Sequence, residues 1–104
     1  MYIDTMKKLC ENGSVRWTDH ATKRIIQRNI SRSDVKTAIL NGEVIEEYPD
    51  DFPYPSCLIS GLVCDNYILH IVCGIGENEL WIISAYRPDP ERWMDDFTIR
   101  KGAL

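Results

Sequence analysis

The stretch Tyr67-Ile68-Leu69-His70-Ile71-Val72-Cys73-Gly74-Ile75-Gly76-Glu77-Asn78-Glu79-Leu80-Trp81-Ile82-Ile83-Ser84-Ala85-Tyr86 consists of two runs rich in β-branched and aromatic residues around a Gly-Glu-Asn turn. That is the composition of a β-hairpin. Tyr67 to Ile75 and Leu80 to Tyr86 are its expected strands. Upstream, Cys57 to Cys64 reads as another strand, joined to the first by a tight turn at Asp65-Asn66. Val44 to Tyr48 reads as a short fourth strand. The connection Pro49-Asp50-Asp51-Phe52-Pro53-Tyr54-Pro55 is a loop set by three prolines. Strands joined by short turns make an antiparallel meander.

Before residue 42 the period changes from two to that of a helix. Ile3, Met6, Leu9 and Cys10 share a helical stripe that Asn12-Gly13 ends. Thr18 is a suitable N-cap for a second helix through Gln27 and Arg28, with Asn29 able to take a left-handed cap. Ser31, with Asp34 three residues on, starts a third helix. It turns Val35, Ala38 and Ile39 inward and stops at Asn41-Gly42. Helices followed by strands predict an α+β fold, with two or three N-terminal helices packed on an antiparallel sheet of about four strands. Arg87-Pro88-Asp89-Pro90 ends the sheet, and Glu91 to Lys101 is expected as a short helix or an extended edge carrying Trp93 and Phe97.

The 104 residues are one domain's worth of chain, 1–104, with 44% hydrophobic and 27% charged residues. No run approaches the length of a membrane span, and the Met1-Tyr2-Ile3-Asp4 start has no signal-peptide pattern, so a cytoplasmic protein is expected. The four cysteines show no C-x2-C pair and read as small buried hydrophobes. A metal reading would have to use Cys64, His70 and Cys73. Neither a metal nor a cofactor is expected.

The net charge is −4, which argues against a broad nucleic-acid binder, but the charge is unevenly placed. Residues 16–36 hold Arg16, Lys23, Arg24, Arg28, Arg32 and Lys36 against Asp19 and Asp34. Residues 41–56 hold Glu43, Glu46, Glu47, Asp50 and Asp51 and no basic residue. His20 falls in the first turn of the second helix, where the positive end of the helix dipole favours the neutral ring a base needs. Arg24 and Arg28 follow at steps of four and extend one polar stripe. His70 is expected mid-strand, sharing a face with Ile68 and Val72. In the last strand, alternation groups Leu80, Ile82, Ser84 and Tyr86 on one face and Trp81, Ile83 and Ala85 on the other. If Ser84 and Tyr86 lie on the His70 face, a hydroxyl, a phenol and an imidazole gather there. Each residue also has a plain structural reading: His20 as a cap, His70 as a bonded core histidine, the arginines as surface ion pairs.

One ordered set of blocks runs through the chain: His20-Ala21-x-x-Arg24-x-x-x-Arg28-x-Ile30-Ser31, Gly42-Glu43-Val44-Ile45-Glu46-x-Tyr48-Pro49 and Pro55-Ser56-Cys57-Leu58-Ile59. Leu69-His70-Ile71-Val72, Ile82-Ile83-Ser84-Ala85-Tyr86-x-Pro88, Trp93 and Arg100-Lys101 complete it. This order resembles an uncharacterised bacterial and archaeal domain family, known as a domain of unknown function. That family looks related to RelE-like and BrnT-like toxins of the barnase–EndoU–colicin–RelE ribonuclease fold. The resemblance covers residues 16 to 101. It implies a RelE-like domain and a toxin-type, metal-independent endoribonuclease that cuts RNA, including ribosome-associated mRNA, by 2′-hydroxyl attack. It further implies a type II toxin–antitoxin pair whose antitoxin is of zinc-finger or helix-turn-helix type. His20 would then be the base and His70 the acid or a phosphate contact. Arg24 and Arg28 would hold the phosphate, and Tyr86 would donate a hydrogen bond or stack on a base. Lys23, Ser84, Arg100 and Lys101 would bind substrate. The chain departs from such ribonucleases in being acidic. A second reading is a non-catalytic protein-interaction module using the acidic, proline-rich 43–55 segment as its docking loop.

Overall fold

A computed structural model describes residues 3–64, 66–94 and 96–102. The expected turn residue Asp65 lies outside the described residues. The elements run α1 (Ile3–Glu11), β1 (Val15–Trp17), α2 (Asp19–Gln27), α3 (Arg32–Asn41), β2 (Glu43–Tyr48), β3 (Ser56–Leu62), β4 (Ile68–Gly76) and β5 (Glu79–Tyr86). The fold is α+β, with three helices and one five-stranded sheet of order β1-β5-β4-β3-β2 among the described residues.

The helix boundaries follow from side chains that satisfy orphan backbone groups. The Thr18 hydroxyl accepts from the Ala21 N–H at 3.0 Å, and the Ser31 hydroxyl from the Asp34 N–H at 3.0 Å. Helix α2 ends in a Schellman arrangement: Asn29 takes φ 56°, its N–H reaches the Ile26 carbonyl, and the Ile30 N–H reaches the Ile25 carbonyl.

The sheet has five strands rather than about four. The extra one, β1, is three residues long and pairs in parallel with β5, Arg16 opposite Trp81. Three residues are too few to display a two-residue period, and the partner strand is more than sixty residues away in sequence. Among the described residues after Pro90 there is neither a helix nor a strand. The described residues there form turns and an isolated antiparallel bridge between Trp93 and Arg100.

The helices cover one face of the sheet. Met6, Ile25, Val35, Ala38 and Ile39 from the helices meet Cys57, Ile59, Leu69, Ile71, Cys73, Leu80, Ile82 and Ala85 from the strands, all buried. Cys57 and Cys73 are directly paired across β3 and β4 beneath the helices. Cys64, beyond the end of β3, is exposed instead of buried. The opposite face carries Ser56, Leu58 and Ser60 of β3 and His70 and Val72 of β4, as the register and alternation require. Among the described residues no helix is long and apolar enough to cross a membrane.

Candidate functional site

Two bulges decide which side chains reach the helix-free face. In β4–β5 the register runs Cys73 opposite Ile82 and then Val72 opposite Ser84, so Ile83 is an extra residue in β5. An inserted residue shifts the alternation of everything after it. Unbroken alternation would group Leu80 and Ile82 with Ser84 and Tyr86. The bulge separates them: Leu80 and Ile82 lie in the core with Ala85, whereas Ser84 and Tyr86 share the face of His70, Tyr86 directly opposite it. In β2 the shift falls between Val44 and Glu46, and it turns the Glu46 carboxylate towards that same face, opposite Leu58.

Over this face folds the segment after β5. His70 is 0% exposed beneath it. The Trp93 ring stands edge-on to the imidazole, centroids 4.4 Å apart. His70 Nε2 lies 2.7 Å from the Phe97 carbonyl and Nδ1 lies 3.2 Å from the Tyr86 hydroxyl. A carbonyl accepts and never donates, so Nε2 carries the proton and Nδ1 accepts from the Tyr86 O–H. Burial lowers the His70 pKa below 6.5, against the Phe97 carbonyl and the Glu46 charge, which favour the protonated ring. Burial likewise raises the Tyr86 phenol. The ground state is therefore a neutral imidazole with a phenol donating to it.

The segment is fastened by Arg100. Its Nε and Nη2 donate to the two Glu46 carboxylate oxygens at 2.7 and 3.1 Å, and its guanidinium lies 4.6 Å from the centre of the Trp93 ring. The bidentate pair holds the Glu46 carboxyl below its ordinary value. Tyr48 donates to the same carboxylate at 2.6 Å, and burial together with that charge pushes its phenol up to about 12.

Next to the Tyr86–His70 pair opens a hollow of about 600 Å³, lined by Arg28, Tyr86, Arg87, Asp89, Arg92, Trp93 and Arg100. Among the described residues, four guanidinium groups face it against the Asp89 carboxylate. Backbone carbonyls hold two of them. Arg28 Nη1 donates to the Ala85 carbonyl at 2.8 Å, and Arg87 donates to the carbonyls of Arg28 and Asn29 at 2.7 and 3.2 Å while lying over Tyr67. The Arg92 side chain is 82% exposed and lies 3.9 Å from an Asp89 carboxylate oxygen. A guanidinium has five N–H groups, so arginines held in this way still have donors for an incoming anion.

Of the residues singled out in the sequence, Arg28, Tyr86 and Arg100 line the hollow, and His70 stands behind Tyr86. Ser84 lies on the same face, two residues before Tyr86 and opposite Val72. His20 and Lys23 are exposed on α2 and are not part of the lining. Arg24 donates to the Gln27 side chain at 3.0 Å. Lys101 is exposed, its backbone N–H bonded to the Arg92 carbonyl. Arg87, Arg92 and Trp93 were not assigned to the site from sequence. Their signal was present as cations and an aromatic around the Pro88-Asp89-Pro90 turn, but only the fold brings that turn beside the end of α2. Cys64, His70 and Cys73 do not converge: Cys64 is exposed beyond β3, and His70 and Cys73 point to opposite faces of β4.

Residues 17–87 match DUF4258, a domain of unknown function. The chain belongs to this family. The DUF4258 match runs from the last residue of β1 past the end of β5 and includes Arg28, His70, Tyr86 and Arg87, while Trp93, Phe97 and Arg100 lie beyond it. No curated protein and no solved structure matches the chain.

Proposed function

We propose that the protein is a toxin-type endoribonuclease, RelE-like in its chemistry, that binds an RNA phosphodiester in the arginine-lined hollow. What supports this reading is the convergence of four arginines on the Tyr86–His70 pair in a chain that is otherwise acidic. RNA supplies its own nucleophile. The 2′-oxygen attacks the adjacent phosphorus, and its proton passes to the Tyr86 oxygen as the Tyr86 proton passes to His70 Nδ1. The bond from phosphorus to the 5′-oxygen breaks, giving a 2′,3′-cyclic phosphate and a 5′-hydroxyl whose proton comes from solvent. Arg28, Arg92 and Arg100 stabilise the charge that builds on the phosphoryl oxygens. The imidazolium formed at His70 is bonded to the Phe97 carbonyl and lies in the field of Glu46. This makes His70, acting through Tyr86, the base. Arg24, Lys23 and His20 continue a basic stripe up α2 for about 12 Å and receive flanking phosphates. In a toxin–antitoxin pair the antitoxin would cover the hollow, an arrangement that keeps such an activity silent in the cytoplasm.

The test is cleavage of a single-stranded RNA oligonucleotide by purified protein beside its all-2′-deoxy counterpart. Wild type is expected to cut only the RNA and to leave cyclic phosphate ends. Tyr86→Phe and Arg28→Ala are each expected to lower the rate about 10²-fold, and His20→Ala only a few-fold. Uncut RNA with wild-type protein, or full activity in both Tyr86→Phe and Arg28→Ala, rejects the proposal.

A further inference from the structure

At the other end of the helix-free face, about 15 Å along β5 from Tyr86, lies a hollow of opposite character. It has a volume of about 350 Å³ and is lined by Thr18, Asp51, Phe52, Pro53, Tyr54, Gly74, Glu77, Trp81 and Ile83. None of these residues is basic. From residue 37 to residue 86 the sequence contains no lysine or arginine, so the acids here belong to the most negative part of the chain.

The hollow is a built feature. Trp81 donates its indole N–H to the Gly76 carbonyl at 3.0 Å, which fixes the ring as one wall. The Tyr54 ring lies 6.0 Å from it, centroid to centroid, at 38°. Two glycines seat the proline loop on the sheet. A Cβ at Gly76 would collide with the Tyr54 ring, and one at Gly74 with the Pro55 carbonyl oxygen. Asp51 accepts a hydrogen bond from the buried Ser56 hydroxyl, which ties the loop down. Burial and the Glu77 carboxylate both raise the Tyr54 phenol above its ordinary value. At the rim Phe52 is 95% exposed.

Aromatic faces with carboxylates at the mouth attract an organic cation: the ring quadrupole and the acids act with the same sign. The same acids repel a phosphate chain. A bare amine would leave Phe52 uncovered, whereas a peptide segment would cover it, and an exposed aromatic beside a pocket is the usual anchor of a protein contact. We propose that this hollow binds an arginine or lysine side chain carried on an apolar segment of a partner protein. The inference does not depend on the ribonuclease reading, since it uses a different end of the sheet and different residues.

The experiment is a titration of the ¹⁵N-labelled full chain with an acetylated, amidated peptide carrying one arginine between leucines. The same peptide with glutamine in place of arginine, and butylguanidine, serve as comparisons. Saturable shifts are expected at the Trp81 indole N–H and at the amides of residues 51, 52, 54 and 74–77. The glutamine peptide should bind about tenfold more weakly. Glu77→Gln should weaken the arginine peptide several-fold, and Phe52→Ala should weaken both peptides. Both substituted residues are exposed, and unchanged resonances in the helices will show that the fold is intact. Equal affinity for the glutamine peptide would reduce the site to an apolar surface and overturn the proposal. So would butylguanidine binding as tightly as the peptide, single-stranded RNA shifting the same resonances, or no shift at Trp81.

Discussion

Burying His70 under Trp93 keeps its ring neutral, and this makes stability depend on pH. The unfolded ring takes a proton near its ordinary value of 6.5, and the folded ring takes it only at lower pH. The neutral ring's contribution is thus complete above 6.5 and is lost as pH falls from there through the folded value, at no more than about 1.4 kcal/mol per pH unit. Glu46 acts in a lower window. Its carboxyl is held below 4.5 by Arg100, so its contribution is present above that value and is lost at more acidic pH. Urea unfolding between pH 7.5 and 5 should show a decline in wild type that His70→Gln lacks; parallel curves would mean that the buried ring does not titrate with folding. At this scale the sequence was partly legible. His70 and Tyr86 stood out as chemistry-bearing residues. Arg87 and Arg92 did not, because nothing local distinguishes a cation that fills a hollow from one that faces water.

Among the elements, α3 lies directly against the sheet, and Gly61 of β3 allows it. A Cβ at Gly61 would run into the carbonyl oxygen of Ala38 and lie 2.8 Å from its Cα, so helix and strand meet backbone to backbone. Gly61→Ala should destabilise the fold by about 3 kcal/mol, the upper end of ordinary overpacking costs. Denaturant unfolding of that variant checks the contact, and an unchanged midpoint would place α3 farther from β3. The long elements were readable from period and caps: Thr18, Asn29 and Ser31 mark helix ends by side-chain chemistry that is local in sequence. Strand β1 and the two bulges were not. A three-residue strand has no period to detect, and a bulge is defined by its partner strand. Alternation is a reliable guide only until a residue is inserted, which is why Ser84 and Tyr86 belong with His70 and not with Leu80 and Ile82.

Across the whole molecule the helix-free face is polarised, with an arginine-lined hollow at one end and an acid–aromatic hollow at the other. Net charge does not describe this. A chain at −4 can present a strongly positive site when its acids are sequestered elsewhere. On the proposed ribonuclease reading, binding of single-stranded RNA should therefore weaken with salt despite the acidic composition. Three phosphates neutralised in and beside the hollow give a slope of about −2 in a plot of log K against log salt concentration. Titrations by fluorescence anisotropy at several salt concentrations measure it, and a slope near zero would mean that the arginines do not meet phosphate.

The amino-acid order alone determined the α+β class, the three helices, the four longer strands and the identity of several reactive side chains. Those features rest on hydrophobic period, caps and turn residues acting within a few positions. Tertiary structure decided which face each side chain took, that Glu46 anchors Arg100, that the segment after β5 buries His70, and that Arg28, Arg87 and Arg92 line one hollow. Each of these depends on register and on contacts between residues far apart in the chain, and such contacts come into being only when the sheet closes.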